Sequence, residues 1–205
     1  MKYAILDHLV VTTTALANGV DYVEQTLGQS MDGGGDHATM GTHNRLLSLG
    51  PLDYLEVIAA NPDATSPGRP RFFDLDNRTG GPKLTNWVMR VDSLAEALDN
   101  APKGTGEGLA LARGPYSWRM AVPADGKLPF DGLFPSLIQW DSPHPAPAIP
   151  DGGARLVALT LSHPESDALA AALAPFLDDA RVSVVSGPVG IEARIATPEK
   201  EVVLT

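Results

Sequence analysis

The chain contains no cysteine, which excludes disulfides and thiolate metal sites outright. Positive charge is also scarce: 15 Lys and Arg stand against 25 Asp and Glu, a net charge of −10 with no basic cluster. Phosphate backbones and anionic membrane surfaces recruit concentrated Lys and Arg, so neither nucleic acid nor a membrane is an expected partner. No apolar run approaches the roughly 20 residues that a membrane-spanning helix needs. Near the start, Lys2 precedes apolar residues and Ala15-Leu16-Ala17 imitates a signal-cleavage site, but Asp7 and His8 interrupt the stretch and three threonines dilute its end. It is read as a first β-strand, and the lack of cysteine fits a cytoplasmic protein.

What is present suits an ordinary globular protein. With 205 residues, 43% hydrophobic and 20% charged, the chain can bury a core as one domain or as tightly packed halves. Residues 3–13 alternate and are rich in Val, Ile and Leu, predicting a strand. Leu16, Val20, Val23 and Leu27 recur at helical spacing, with Gly28 as the stop. A glycine-rich loop, Asp32 to Gly41, entered by a short strand around 29–32, leads to strands over 42–49 and 53–60. After a proline- and arginine-bearing connector (61–83), the order repeats: strand 84–91, a helix over 94–100 capped by Ser93, and strands over 108–113, 118–123 and 134–140.

A rigid Pro-His-Pro link (142–150) opens a third unit, with strand 156–161, helix 165–177 and strands near 182–186, 190–196 and 201–204. The expected units are therefore 1–60, 84–141 and 154–205, three β-α-β-β-β runs packed as one α+β domain.

Superposing the units sharpens the pattern. Leu84-Thr85-Asn86-Trp87 overlays Leu6-Asp7-His8-Leu9, and Leu137-Ile138-Gln139-Trp140 overlays Tyr54-Leu55-Glu56-Val57. In the third unit the equivalent positions fall near Ala158 and Leu204. Ligand capacity falls from His8/Glu56 to Asn86/Gln139 to Ala/Leu, and a slip of one residue would turn any of these side chains to the other sheet face. A carboxylate in a buried strand is costly without a partner or a metal, which singles out Glu56.

The paired His and Glu, together with Gly34-Gly35-Asp36-His37, Gly41-Thr42-His43-Asn44-Arg45-Leu46, Ile138-Gln139-Trp140-Asp141 and His144-Pro145, resemble the glyoxalase-like domain proteins of the vicinal-oxygen-chelate superfamily. The resemblance covers essentially the whole chain and is most specific in the first 60 residues. It implies that two such units pair so that curved sheets form a cup with helices outside; the first two are expected to do so with the third packed against them, the alternative being that the third completes the cup with the first. It also implies a divalent metal (Zn, Ni, Fe or Mn) held by His8 and Glu56 and binding adjacent oxygens of a small-molecule substrate. Neutral amides are weak ligands for such metals, so Asn86 and Gln139 leave metal dependence open.

The expected activity is that of a lyase, isomerase or dioxygenase-like enzyme on a small oxygenated substrate, working through an oxyanion or enediolate-type intermediate. Glu56 or His37 would move the proton, His37 because its ordinary pKa lies near working pH. Thr42, Asn44, Asn86 and Gln139 are expected to bind substrate. His144 is read first as part of a stiff solvated linker, and Arg69 and Arg71 as exposed ion-pair partners. The alternative is a metal-free module that sequesters a small molecule in the same cup. Relatives of this fold often dimerise, which makes a homodimer the assembly to look for.

Overall fold

The computed structural model describes residues 4–205. The first unit consists of β1 (Ile5–Thr12), α1 (Leu16–Leu27), β2 (Asp32–His37), β3 (Thr42–Ser48) and β4 (Tyr54–Ala60). The second consists of β5 (Lys83–Arg90), α2 (Leu94–Leu98), β6 (Glu107–Arg113), β7 (Tyr116–Val122) and β8 (Ser136–Trp140). Together they form one eight-stranded sheet in the order β2-β3-β4-β1-β5-β8-β7-β6. Each unit pairs its first strand in parallel with its last, and the two units meet through antiparallel β1 and β5. The sheet curls until its end strands approach. Arg113 of β6 reaches across to Asn44 of β3 at 2.9 Å.

The same irregularity occurs in both halves of the central seam. Relative to β5, β1 carries an extra residue between Leu6 and His8; relative to β1, β5 carries one between Leu84 and Asn86. A bulge of this kind breaks strict alternation. Leu6, Leu9 and Val11 therefore belong to the outer core while Val10 belongs to the inner one. In β5, Leu84, Trp87 and Met89 face out while Val88 faces in. The bulges coincide with the superposed pairs Asp7-His8 and Thr85-Asn86, which fixes the repeat register along these strands.

Sequence and structure differ at β2. The glycine run belongs to the strand itself, where it lies against β3. A Cβ at Gly34 would stand 2.2 Å from the Asn44 carbonyl oxygen, so only glycine permits this approach, at φ 92. Gly28 ends α1 as expected, in the left-handed region with its N–H on the Glu24 carbonyl. Ser93 caps α2 by accepting from the Glu96 amide.

The third unit keeps the predicted element order but not the pairing of the first two. Its strands β9 (Arg155–His163), β10 (Val182–Ser186), β11 (Gly190–Ala196) and β12 (Glu201–Leu204), with α3 (Ser166–Leu173), form a separate sheet ordered β10-β9-β11-β12. Here the first strand pairs in parallel with the second, so Ala158 and Leu204 are not counterparts of His8 and Glu56. The expected helix over 165–177 is shorter because Pro175 cannot continue it; Phe176 turns into the core instead. This sheet covers the outer face of the main one. Leu159, Leu161, Ala193 and Ile195 pack in one cluster with Leu6, Leu9, Trp87 and Met89. Each such Leu, Ile or Met side chain contributes ~1.5–3 kcal/mol when fully buried, so the third sheet shares one core with the main one.

Candidate active site

Inside the curled sheet, the inward side chains of the first unit converge at one end. Tyr54, Glu56 and Ile58 alternate inward on β4, and Asn44 lies on the neighbouring strand opposite Ile58. The β1 bulge brings Asp7 and His8 side by side. His8 Nδ1 lies 2.7 Å from Asp7 Oδ1, and its Nε2 lies 3.5 Å from Glu56 Oε2. Glu56 Oε1 accepts from the Asn44 amide at 2.5 Å. The Asn44 side-chain oxygen Oδ1 accepts from Arg113 at 2.9 Å and from the Gly35 amide at 3.0 Å. All of these side chains are buried.

Asp7 has partners on its far side as well. Its Oδ2 accepts from the Trp140 indole at 3.0 Å and lies 3.0 Å from His144 Nε2, with Arg90 at 3.6 Å. The Tyr54 ring stacks on His8, centroids 4.5 Å apart and planes 14° from parallel. The Pro-His-Pro link is thus a latch on the site rather than a solvated spacer.

Charge follows geometry. Burial opposes the charged form of His8, but the hydrogen bonds and charges of Asp7 and Glu56 win and raise it to about 9. Burial likewise works against ionised Glu56, yet His8 and then Asn44 hold it down at about 2. Asp7 is held well below the ordinary carboxylate range by His144 and His8, again against burial. At neutral pH the centre is an imidazolium between two carboxylates. His37 behaves oppositely: burial lowers it to about 4, so it is neutral. Its Nδ1 lies 2.9 Å from Thr42 Oγ1 and its Nε2 is 3.4 Å from the Asn44 amide nitrogen.

The structure thus assembles His8, Glu56, Asn44, His37 and Thr42. It separates the other two sequence candidates from them. Asn86 points inward but pairs with Val10, two residues along β1 from His8, and donates to the Gly132 carbonyl at 3.0 Å. Gln139 faces outward and accepts from the Leu94 amide at 2.8 Å, at the start of α2. Its neighbours Ile138 and Trp140 are the ones that line the cup. This is the one-residue slip that strand alternation makes so consequential.

Sequence reasoning missed Asp7, Tyr54, Arg113 and Trp140 as members of the cluster. Asp7 left a signal. It breaks the apolar alternation next to a histidine, which is what a bulge looks like in sequence.

The cluster borders a cavity of about 30 Å³, walled by Phe72, Trp118, Met120, Ile138 and Trp140. That is room for about one water. No helix among the described residues is long and apolar enough to cross a membrane.

A curled eight-stranded sheet of paired β-α-β-β-β units, with a buried polar centre on its first repeat, defines the class. The profile described as Glyoxalase-like domain matches residues 6–177, and the chain belongs to that family. Among solved structures, a hypothetical protein from Staphylococcus aureus is similar over 98% of this chain and 84% of its own, at 10% identity and TM-score 0.61. A methylmalonyl-CoA epimerase from Mycobacterium tuberculosis is similar over 70% of this chain and 93% of its own, at 18% identity and TM-score 0.46. A comparison with curated proteins found no match.

A divalent metal at His8 and Glu56, as the sequence resemblance implied, would need further donors. Only the first repeat supplies good ligands. In the second, Asn86 is engaged elsewhere and the inward residues are Ile138 and Trp140. Among the described residues no group of three or more His, Asp or Glu could hold a metal. These residues do not fit the group, and no step below depends on one.

Proposed function

We propose that the chain is a glyoxalase-like enzyme that moves a proton on a small oxygenated substrate through an enediolate-type intermediate. The observation that carries this reading is His8 held between Asp7 and Glu56 beside an aromatic-walled cavity of about 30 Å³, which must widen to admit a substrate. A substrate oxygen placed against His8 Nε2–H would draw the imidazolium away from Glu56. Glu56 then loses the partner that keeps it acidic and becomes a stronger base. Its carboxylate takes the proton from the carbon next to the carbonyl, and the C–H electron pair moves onto the carbonyl oxygen. The resulting oxyanion faces a fixed positive charge in a site that excludes water. Return of the proton to the same or the adjacent carbon gives exchange or isomerisation.

In this reading Asp7 orients His8 and keeps it charged, as a buried carboxylate does for a histidine. His37 and Thr42 position Asn44, and Asn44 with Arg113 positions Glu56. The donor set favours metal-independent chemistry over the expected Zn, Ni, Fe or Mn site.

The test is hydrogen–deuterium exchange at carbon, followed by proton NMR in D₂O with small 2-oxo and 2-hydroxy carbonyl compounds as probes. Exchange catalysed by wild type and lost in Glu56→Gln supports the reading; equal exchange in both sinks it. A sequestering role is the second reading, favoured by the partners that lock Glu56 in place. It requires a probe that binds without exchanging.

A further inference from the structure

A cavity of ligand size lies away from the His8 centre. It lies around Asn86, with a volume of about 430 Å³, within the range of small-molecule sites. Its walls mix donors and acceptors. The Thr12 and Thr85 hydroxyls lie 3.0 Å apart; whichever donates, the other keeps its hydrogen to offer. Asp74 and Asp131 present carboxylates, and Lys127 an ammonium. Arg78 braces the wall through the backbone carbonyls of Thr12, Thr79 and Gly81. The two cations and two carboxylates cancel formally. Phe73 contributes an aromatic surface.

The backbone supplies an independent observation. Among the described residues, the non-glycine positions with positive φ are Phe73 (60), Asp74 (52), Phe130 (54) and Asp131 (54). They form two Phe-Asp pairs in separate loops. Phe73, Asp74 and Asp131 line this cavity, and the Asp74 amide donates to the Gly126 carbonyl, another wall residue, at 2.9 Å. L side chains resist this conformation, and it persists where the surroundings enforce it, typically at ligand clamps and active sites. Here it sets two carboxylates on the wall of one cavity.

We propose that this cavity is a second ligand site, separate from the His8 centre, for a neutral hydroxyl-rich molecule of monosaccharide or polyol type. Hydroxyls both donate and accept, which matches a wall of carboxylates, hydroxyls and an ammonium. The balanced charges give no net preference for an anion or a cation. Phe73 offers a face for the C–H side of a sugar ring. The inference does not rest on the proposed proton transfer.

The experiment is saturation-transfer NMR and calorimetry with D-glucose, D-galactose, D-xylose, myo-inositol and glycerol, with gluconate and glucosamine as charged controls. At least one neutral probe is expected to bind. Thr85→Val and Asp131→Asn should each weaken it by about fivefold or more, the loss of a hydrogen bond or two, while His8→Gln changes it by less than about twofold. Circular dichroism confirms that each variant is folded, and Asn suits the left-handed position at 131. Failure of every neutral probe to bind overturns the proposal. So does tighter binding of a charged control, or affinity that falls in His8→Gln but not in the other two variants.

Discussion

Asp7 and His8 are neighbours in sequence and partners in space. Their side chains meet at 2.7 Å because the β1 bulge suspends the alternation that would send them to opposite faces. The carboxylate also holds Trp140 and His144, joining the first strand to the latch that leads into the third unit.

Replacing Asp7 by Asn therefore changes charge with little change in shape. His8, His144 and Arg90 would face a neutral amide in a buried site. Breaking a buried ion pair from one side costs about 3–5 kcal/mol. Asp7→Asn is expected to lower unfolding free energy by that order at pH 7, measured in urea. NMR titration should show the His8 pKa falling. A variant as stable as wild type would mean that the cluster is not charged as described.

The element order of the first two units was legible in sequence because their strands repeat the same apolar alternation. The third unit misled for an instructive reason. Element order does not specify which strand pairs with which, and β9 accepts β10 where β1 accepts β4. His8 and Glu56 were legible because charge in an apolar strand demands a partner. Gln139 was not, since a one-residue slip is invisible in a stretch where Ile138, Gln139 and Trp140 could each face in. Arg113 and His144 approach from distant segments, and nothing local announces that.

Gln139 and Asn44 make a paired test of which face matters. Gln139 accepts from the first amide of α2, so Gln139→Leu should cost about 1 kcal/mol of stability and leave carbon-exchange activity unchanged. Asn44 donates to Glu56 and accepts from Arg113 and Gly35. Asn44→Leu removes that support from the base, and activity should fall by about a hundredfold or more. Comparable losses in both variants would contradict the placement of Gln139 outside the cup.

Metal addition tests the donor-set reading directly. Ions bound only by the folded state raise its melting temperature in proportion to occupancy. With ligands from one repeat alone, thermal-shift titrations with Zn, Ni, Mn and Fe are expected to be flat, as is elemental analysis of freshly purified protein. A saturable shift that vanishes in His8→Gln would restore the metal site to the mechanism.

The pH dependence of stability carries the sign of each buried group. His8 lies at about 9 against an ordinary 6.5, so its contribution is complete below pH 6.5 and is lost as pH rises through 9. Glu56 lies at about 2 against 4.5; its contribution is present above 4.5 and is lost as pH falls toward 2. His37, neutral and lowered to about 4 from 6.5, favours the fold above 6.5 and withdraws that contribution as pH falls through 4. These terms place the maximum near pH 6.5, with a loss on the acid side led by His37, Glu56 and Asp7 and a separate loss on the alkaline side that begins with His8. Urea denaturation between pH 4 and pH 9.5 would measure it, at about pH 6.5 for the peak. In Glu56→Gln the alkaline loss should be smaller and end at lower pH, because one of the two charges that raise His8 is gone. Stability that climbs steadily from pH 6.5 to pH 9 in the wild type would falsify the imidazolium assignment.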